Sequence, residues 1–282
     1  MKIVVDHATV CGSSLESLQK AFAHAGLATD YGGLHANGVT HMALIGFDDG
    51  SYLELIAPTK PVEGACGNLA GWIKLMQGDA GACAWAVHTS NIQQEVERLK
   101  AASIEVTAPE PGGRKKIDGT TLRWQTATAG PGAAGALLPF MIQDETRRGL
   151  RVPPSRTIPE IGLTGIGIVV LGVKDWKGAV SWFRKAYGWG APGIEEHNEF
   201  GARLAHFPGT PVMLATPSDE GSRLAARLIS FGDCPLAFLM RTPDLNRACK
   251  RFGLVRPGTW FGRKTAWFDE TKLLGVKLGV IQ

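Results

Sequence analysis

Val5-Asp6-His7-Ala8-Thr9-Val10 and Tyr52-Leu53-Glu54-Leu55-Ile56-Ala57-Pro58 are two short, bounded, apolar runs with strand character. Each carries one metal-competent or acid/base side chain where a plain core strand would place Val or Ile. Alternation sets Val5 and Ala8 against His7 and Thr9, and Leu53 and Leu55 against Tyr52, Glu54 and Ile56. A His from one strand and a Glu from another can therefore share a sheet face, as a metal or a proton-transfer site requires. Either residue alone reads as a solvated polar position; together they read as a site.

A strand, a one-sided helix, a stop and more strands recur four times. The helices are expected over Leu15 to Ala25, Ile92 to Ala102, Trp176 to Tyr187 and Asp244 to Phe252. Three stop at Gly26, Gly188 and Gly253, and the second stops at Ser103. Glycine is the usual stop because it enters the left-handed conformation without penalty. Units of this length cannot bury a sheet face alone and should pair.

This organisation resembles the vicinal oxygen chelate superfamily, and within it the glyoxalase-like domain family. The resemblance rests on Asp6-His7, Gly32-Gly33-Leu34-His35, the strand Gly38 to Leu44, and Tyr52-Leu53-Glu54-Leu55-Ile56. It is specific over residues 1 to about 58, moderate to about 145, and a matter of pattern beyond. His41 departs from the Asn expected there. The resemblance implies an α+β fold of four βαβββ modules, paired into two cupped, mostly antiparallel sheets. The corresponding division is 1–148 with the functional cup, a Pro-rich linker over 149–160, and a degenerate second pair over 161–282.

In the superfamily the first and last strands of a module offer one metal ligand each. His7 and Glu54 fill both places in the first module. The second is expected to offer Ala84 and Pro139, the third Ile168 and Met213, and the fourth no His or acid. The resemblance thus implies at most one divalent ion (zinc, iron, manganese or nickel) on His7 and Glu54, with His35, His41 or His88 as the only sources of a third ligand. Without metal, His7 and Glu54 make an oriented acid/base pair. The candidate catalytic residues are Glu54, His7, His35 and His41. Tyr52, His88, Arg123 and Gln125 are the expected substrate contacts, with Leu122 and Trp124 turned onto the helix and Arg123 able to hold an anion bidentately.

The chain has 282 residues, 44% of them apolar, enough for two domains or one double unit. A net charge of +4 is too weak to mark nucleic acid as the main partner. No apolar run is long enough for a bilayer, and the N-terminus opens on a strand without a cleavage motif. Cys11, Cys66, Cys83, Cys234 and Cys249 are scattered and suit reduced thiols in a cytoplasmic protein. The basic runs Arg114-Lys115-Lys116 and Arg147-Arg148 read as solvated. Neither the 258–265 stretch nor "GIGIVVLG" has the spacing of a phosphate or dinucleotide loop, so no nucleotide cofactor is expected. The expected partner is a small molecule in a mainly apolar cup, with a homodimer left open. Two functions are compatible: a lyase, isomerase or hydrolase acting on a small carbonyl or enolisable compound, or a protein that sequesters a small molecule without catalysis.

Overall fold

The computed structural model describes residues 2–61, 72–78 and 80–282. The first module runs β1 (Val5–Cys11), α1 (Leu15–His24), β2 (Asp30–His35), β3 (Thr40–Gly46) and β4 (Tyr52–Pro58). A short α2 (Ile73–Gln77) leads to β5 (Gly81–His88), α3 (Ile92–Ala101), β6 (Glu110–Lys115), β7 (Thr121–Ala127) and β8 (Phe140–Asp144). After α4 (Arg148–Arg151) and α5 (Ile158–Ile161) come β9 (Gly165–Gly172), α6 (Trp176–Tyr187), β10 (Gly193–His197), β11 (Ala202–His206) and β12 (Val212–Pro217). Helix α7 (Arg223–Phe231) precedes β13 (Cys234–Arg241), α8 (Leu245–Phe252), β14 (Val255–Trp260), β15 (Arg263–Trp267) and β16 (Lys277–Ile281).

The strands form four βαβββ modules in two sheets. The first is a closed barrel in the order β1-β4-β3-β2-β6-β7-β8-β5; the second is open, in the order β10-β11-β12-β9-β13-β16-β15-β14. Among the described residues, only the first and last strands of each module pair in parallel. The Ser14 and Asn91 side chains cap α1 and α3 by accepting from Ser17 N and Gln94 N, and Gly188 and Gly253 end α6 and α8 in the left-handed conformation. Ser103 takes the same turn at φ 52° after α3.

Leu18 and Phe22 of α1, Val96 and Leu99 of α3, and Phe183 of α6 enter one continuous core with the outward strand residues Ala8, Val10, Leu53, Leu55, Val169 and Phe238. With the outer faces given to the helices, the inner face of each sheet is free to form a cup. In the second sheet Ile168 and Met213 occupy the places of His7 and Glu54, and both are buried among Leu204, Leu239 and Trp260. In the barrel the inner face stays polar at one end.

The register places the second module's cup residues differently from expectation. Ala86 pairs with Phe140 and His88 with Ile142, so Phe140 and Ile142, not Pro139, line the cup. No helix among the described residues is long and apolar enough to cross a membrane.

Candidate functional site

A β-bulge near the start of β1 is the first device. The pairing with β5 shifts between Val5 and His7, leaving Asp6 as the extra residue. Val5 still packs in the core, while Asp6 and His7 both point to the inner side. Strand β4 lies alongside in parallel, with His7 opposite Tyr52 and Thr9 opposite Glu54.

Glu54 is the centre of the site, only 6% exposed. Its Oε2 accepts from the Thr9 hydroxyl at 3.1 Å and lies 3.8 Å from His7 Nε2; its Oε1 lies 3.5 Å from His35 Nε2. His35 closes its other side through Nδ1, 2.9 Å from the Thr40 hydroxyl. Burial alone would push the Glu54 carboxyl up, but the His35 hydrogen bond, the two imidazoles and Thr9 together hold it down, at about 2.

His7 is fixed from behind. Its Nδ1 is 2.7 Å from Asp6 Oδ1, and its ring stacks on Tyr52 with centroids 4.6 Å apart and meets the Phe140 edge at 5.3 Å. Asp6 is fully buried, and Arg151 grips it through Nη1 at 3.1 Å and Nη2 at 2.8 Å. Arg151 also binds Asp144 and reaches the Tyr52 hydroxyl at 3.1 Å, and Arg148 adds a second guanidinium to Asp6 and Asp144. Burial raises the Asp6 carboxyl, yet Arg151 and His7 outweigh it and leave it well below the usual carboxylate range. Burial keeps the Tyr52 phenol protonated far above its ordinary range.

These side chains open on a cavity of about 300 Å³ whose wall includes His7, His35, Tyr52, Glu54, Trp124, Phe140 and Arg151. Four of the expected residues therefore meet: His7, His35, Tyr52 and Glu54. His41 does not join them, because alternation along β3 sends Thr40 and Met42 into the cup and His41 to the other side, edge-on to Tyr31. Burial and the nearby His35 lower the His41 imidazole. His88 lies beyond the cup, half-buried, its Nε2 3.7 Å from Asp144 Oδ2. Burial, with Arg148 beside it, lowers that imidazole as well.

The faces of β7 are the reverse of those expected. Trp124 lines the cavity, whereas Arg123 is exposed and Gln125 turns to Glu145, bonding Oε1 at 2.9 Å. A large aromatic is as much at home in an apolar ligand cup as under a helix, so side-chain type could not decide this strand. The cup consequently holds Trp124 and Phe140 besides Tyr52.

Arg114 is the second departure. Expected in solvent with Lys115 and Lys116, it is only 6% exposed and lines the cup. It pairs across strands with His35, donates to the carbonyls of Gly32 and Arg151, and touches the Met42 sulfur. Gly32 is required for this approach: a Cβ there would lie 1.9 Å from Met42 Sδ and 2.6 Å from Arg114 Nη1.

Among the described residues no three His, Cys, Asp or Glu side chains gather into a group that could hold a metal ion. His7 and His35 approach different oxygens of Glu54, and one of those is shared with Thr9. The donor set does not fit a zinc or iron centre with three convergent protein ligands. Cys66 lies outside the described residues; Cys11, Cys83, Cys234 and Cys249 are free, and burial pushes the Cys83 thiol up, away from a reactive thiolate.

The family model of the glyoxalase-like domain matches residues 5–187. No curated protein matches the chain. A hypothetical protein from Staphylococcus aureus superposes with TM-score 0.63 and 15% identity, over 99% of this chain and 98% of that one. A triple mutant of 4-hydroxymandelate synthase from Streptomyces coelicolor does so with TM-score 0.63 and 12% identity, over 100% and 92%. Methylmalonyl-CoA epimerase from Mycobacterium tuberculosis, at 23% identity, covers 43% of this chain and 88% of its own, with TM-score 0.37. The first two share the fold along the whole chain.

Proposed function

The chain belongs to the glyoxalase-like domain family, and from that premise we propose that it is an enzyme that moves a proton on a small enolisable carbonyl compound in the barrel cup. The observation that carries this reading is the chain Asp6–His7–Glu54–His35, two imidazoles on either side of one buried carboxylate.

The roles follow from the geometry. Asp6, ionised and gripped by Arg151, accepts the His7 Nδ1 proton and leaves a lone pair on Nε2 facing the cup. His7 Nε2 is then the base that takes a proton from the carbon beside the carbonyl. A carboxylate held at about 2 is a feeble base at neutral pH, so the task of Glu54 is electrostatic. Its negative charge offsets the imidazolium formed at His7, and it also accepts from His35. The imidazolium can return the proton to another atom of the same intermediate, which makes the reaction an isomerisation, or give it to a group expelled from the carbon next to the carbanion as the double bond forms, which makes it a lyase reaction.

The ligand is a small molecule, and residues 1–148 with Arg151 supply every group named here. The second module pair, from 161 to 282, has Ile168 and Met213 at the corresponding places and contributes stability instead. The alternative reading is a sequestering protein without turnover. Trp124 and Phe140, with Tyr52, give it three aromatic walls for a planar ligand.

Glu54→Gln separates the two. In an enzyme of this kind, loss of that electrostatic support lowers kcat by about 10²- to 10³-fold and leaves ligand affinity within a few-fold. A variant that turns over normally removes Glu54 from the mechanism, and a His7→Ala variant that turns over normally sinks the assignment of His7 as the base. Wild-type protein that binds small carbonyl compounds tightly, without exchanging their α-hydrogens in deuterated water, establishes the sequestering one.

A further inference from the structure

Arg114 and Arg151 are both buried guanidinium groups on the cup, and they differ in how their charge is met. Arg151 is paired with the Asp6 and Asp144 carboxylates. Arg114 has among the described residues only neutral partners, two backbone carbonyls and a thioether. A buried cation without an anion beside it is expensive unless something supplies the countercharge. Burial, with the like charge of Arg151, lowers the Arg114 guanidinium despite Tyr52 and Glu54, whereas the burial of Arg151 is outweighed by Tyr52, Asp6 and Asp144, which together raise it.

The position of Arg114 points to what that anion is. It lies directly opposite His35 where β6 meets β2, at the seam that closes the barrel. Cross-strand partners place their side chains on one face, with Cβ atoms about 5 Å apart. Arg114 and the Glu54–His35 pair thus line the same cavity of about 300 Å³, at the small end for ligand pockets. An anionic group entering the cup is drawn to Arg114 and repelled by the ionised Glu54. This fixes its orientation, with the charged end at the β2–β6 seam and the rest of the molecule against His7.

We propose that Arg114 holds the carboxylate of the substrate, so that the cup selects a small oxo acid, a carboxylate-bearing compound with an enolisable carbonyl. This rests on the proton-transfer reading for the word substrate, but the recognition of a carboxylate by Arg114 stands apart from it. Two of its five N–H groups are given to the Gly32 and Arg151 carbonyls, and the remaining donors of the planar guanidinium can meet a carboxylate in a fixed geometry that a Lys ammonium cannot match.

Binding of pyruvate, 2-oxobutyrate and malonate, each set against its methyl ester, tests the proposal by calorimetry on the full chain. Wild-type protein should bind at least one acid and discriminate against its ester by about 10- to 100-fold, the range of a charge-assisted pair. Arg114→Gln should lose that preference, and Arg114→Lys should keep part of it, with circular dichroism verifying that both are folded. Glu54→Gln should retain or tighten acid binding even where turnover is lost, which separates this proposal from the assignment of the base. Acids and esters bound equally, no acid bound at millimolar concentration, or acid binding unchanged in folded Arg114→Gln would each overturn it. Should Arg114→Gln fail to fold, Arg114→Lys carries the test: an undiminished preference for acid over ester there refutes bidentate recognition.

Discussion

Asp6 and His7, neighbours in the chain, are joined through their own side chains, the His7 Nδ1–H donating to Asp6 Oδ1 at 2.7 Å. In a regular strand, adjacent side chains point to opposite faces. The bulge between Val5 and His7 puts both on the inner side, so one strand supplies the base and the group that orients it. Asp6→Asn should therefore lower kcat by about 10²-fold or more with little change in KM, and the loss should persist across the pH range. Asp6 is a positioning residue in this account. A rise in KM alone, with kcat intact, would count against it.

Arg151 is what allows Asp6 to be charged and fully buried. Removing one member of such a network leaves an uncompensated charge behind, at a cost of about 3–5 kcal/mol. Arg151→Met should lose up to about that much in urea unfolding, because Asp6 and Asp144 are left with the partly exposed Arg148 in place of two guanidinium groups. Arg123→Ala, on an exposed side chain of the same barrel, should change stability by no more than about 0.5 kcal/mol. Equal effects of the two would mean that the Asp6–Arg151 pair contributes nothing.

The pH dependence has a definite sign. The folded Glu54 carboxyl is held at about 2 against an ordinary 4.5, and Asp6 lies well below 3.8. At a pH between the folded and unfolded values the unfolded chain binds more protons, so stability rises with pH. The contribution is full above the unfolded value and is lost as pH falls from about 4.5 towards 2. For Glu54 the gap corresponds to roughly 3 kcal/mol. Urea midpoints followed from pH 6 to pH 3 should fall, and Glu54→Gln should flatten the slope. A slope identical in the variant would remove Glu54 from the account.

Much of this was written in the chain. The fourfold helix-and-stop pattern gave the βαβββ modules, because Gly26, Gly188 and Gly253 leave few conformational choices. Alternation could place His7 and Glu54, with Tyr52, on one sheet face, whereas His35 was reached only through the family resemblance carried by Gly32-Gly33-Leu34-His35. Strand β7 was misread because Arg123 and Trp124 are each plausible inside a cup, and only the register with β6 and β8 decides which one enters. Arg114 was hidden by its neighbours. In a run of three basic residues nothing local says that one will be buried, and its burial depends on the carbonyls of Gly32 and Arg151, 82 and 37 positions away. Arg151 was hidden likewise in a Pro-rich connecting segment, although Asp6 buried in a strand needs a cation from somewhere. Asking for that partner was the signal available.

The last prediction concerns metal. The superfamily's ligand positions hold His7 and Glu54, but among the described residues no third ligand converges with them as a zinc or iron ion needs, with His41 turned out of the cup and His35 engaged with Thr40 and Glu54. Protein purified without chelator should carry far less than one equivalent of zinc, iron, manganese or nickel by elemental analysis, and activity should survive dialysis against EDTA. His7→Ala should then lose turnover without any change in metal content. Stoichiometric metal in the wild type that disappears in His7→Ala would instead make His7 and Glu54 ligands. The imidazole lone pair assigned above to proton transfer would then belong to the ion.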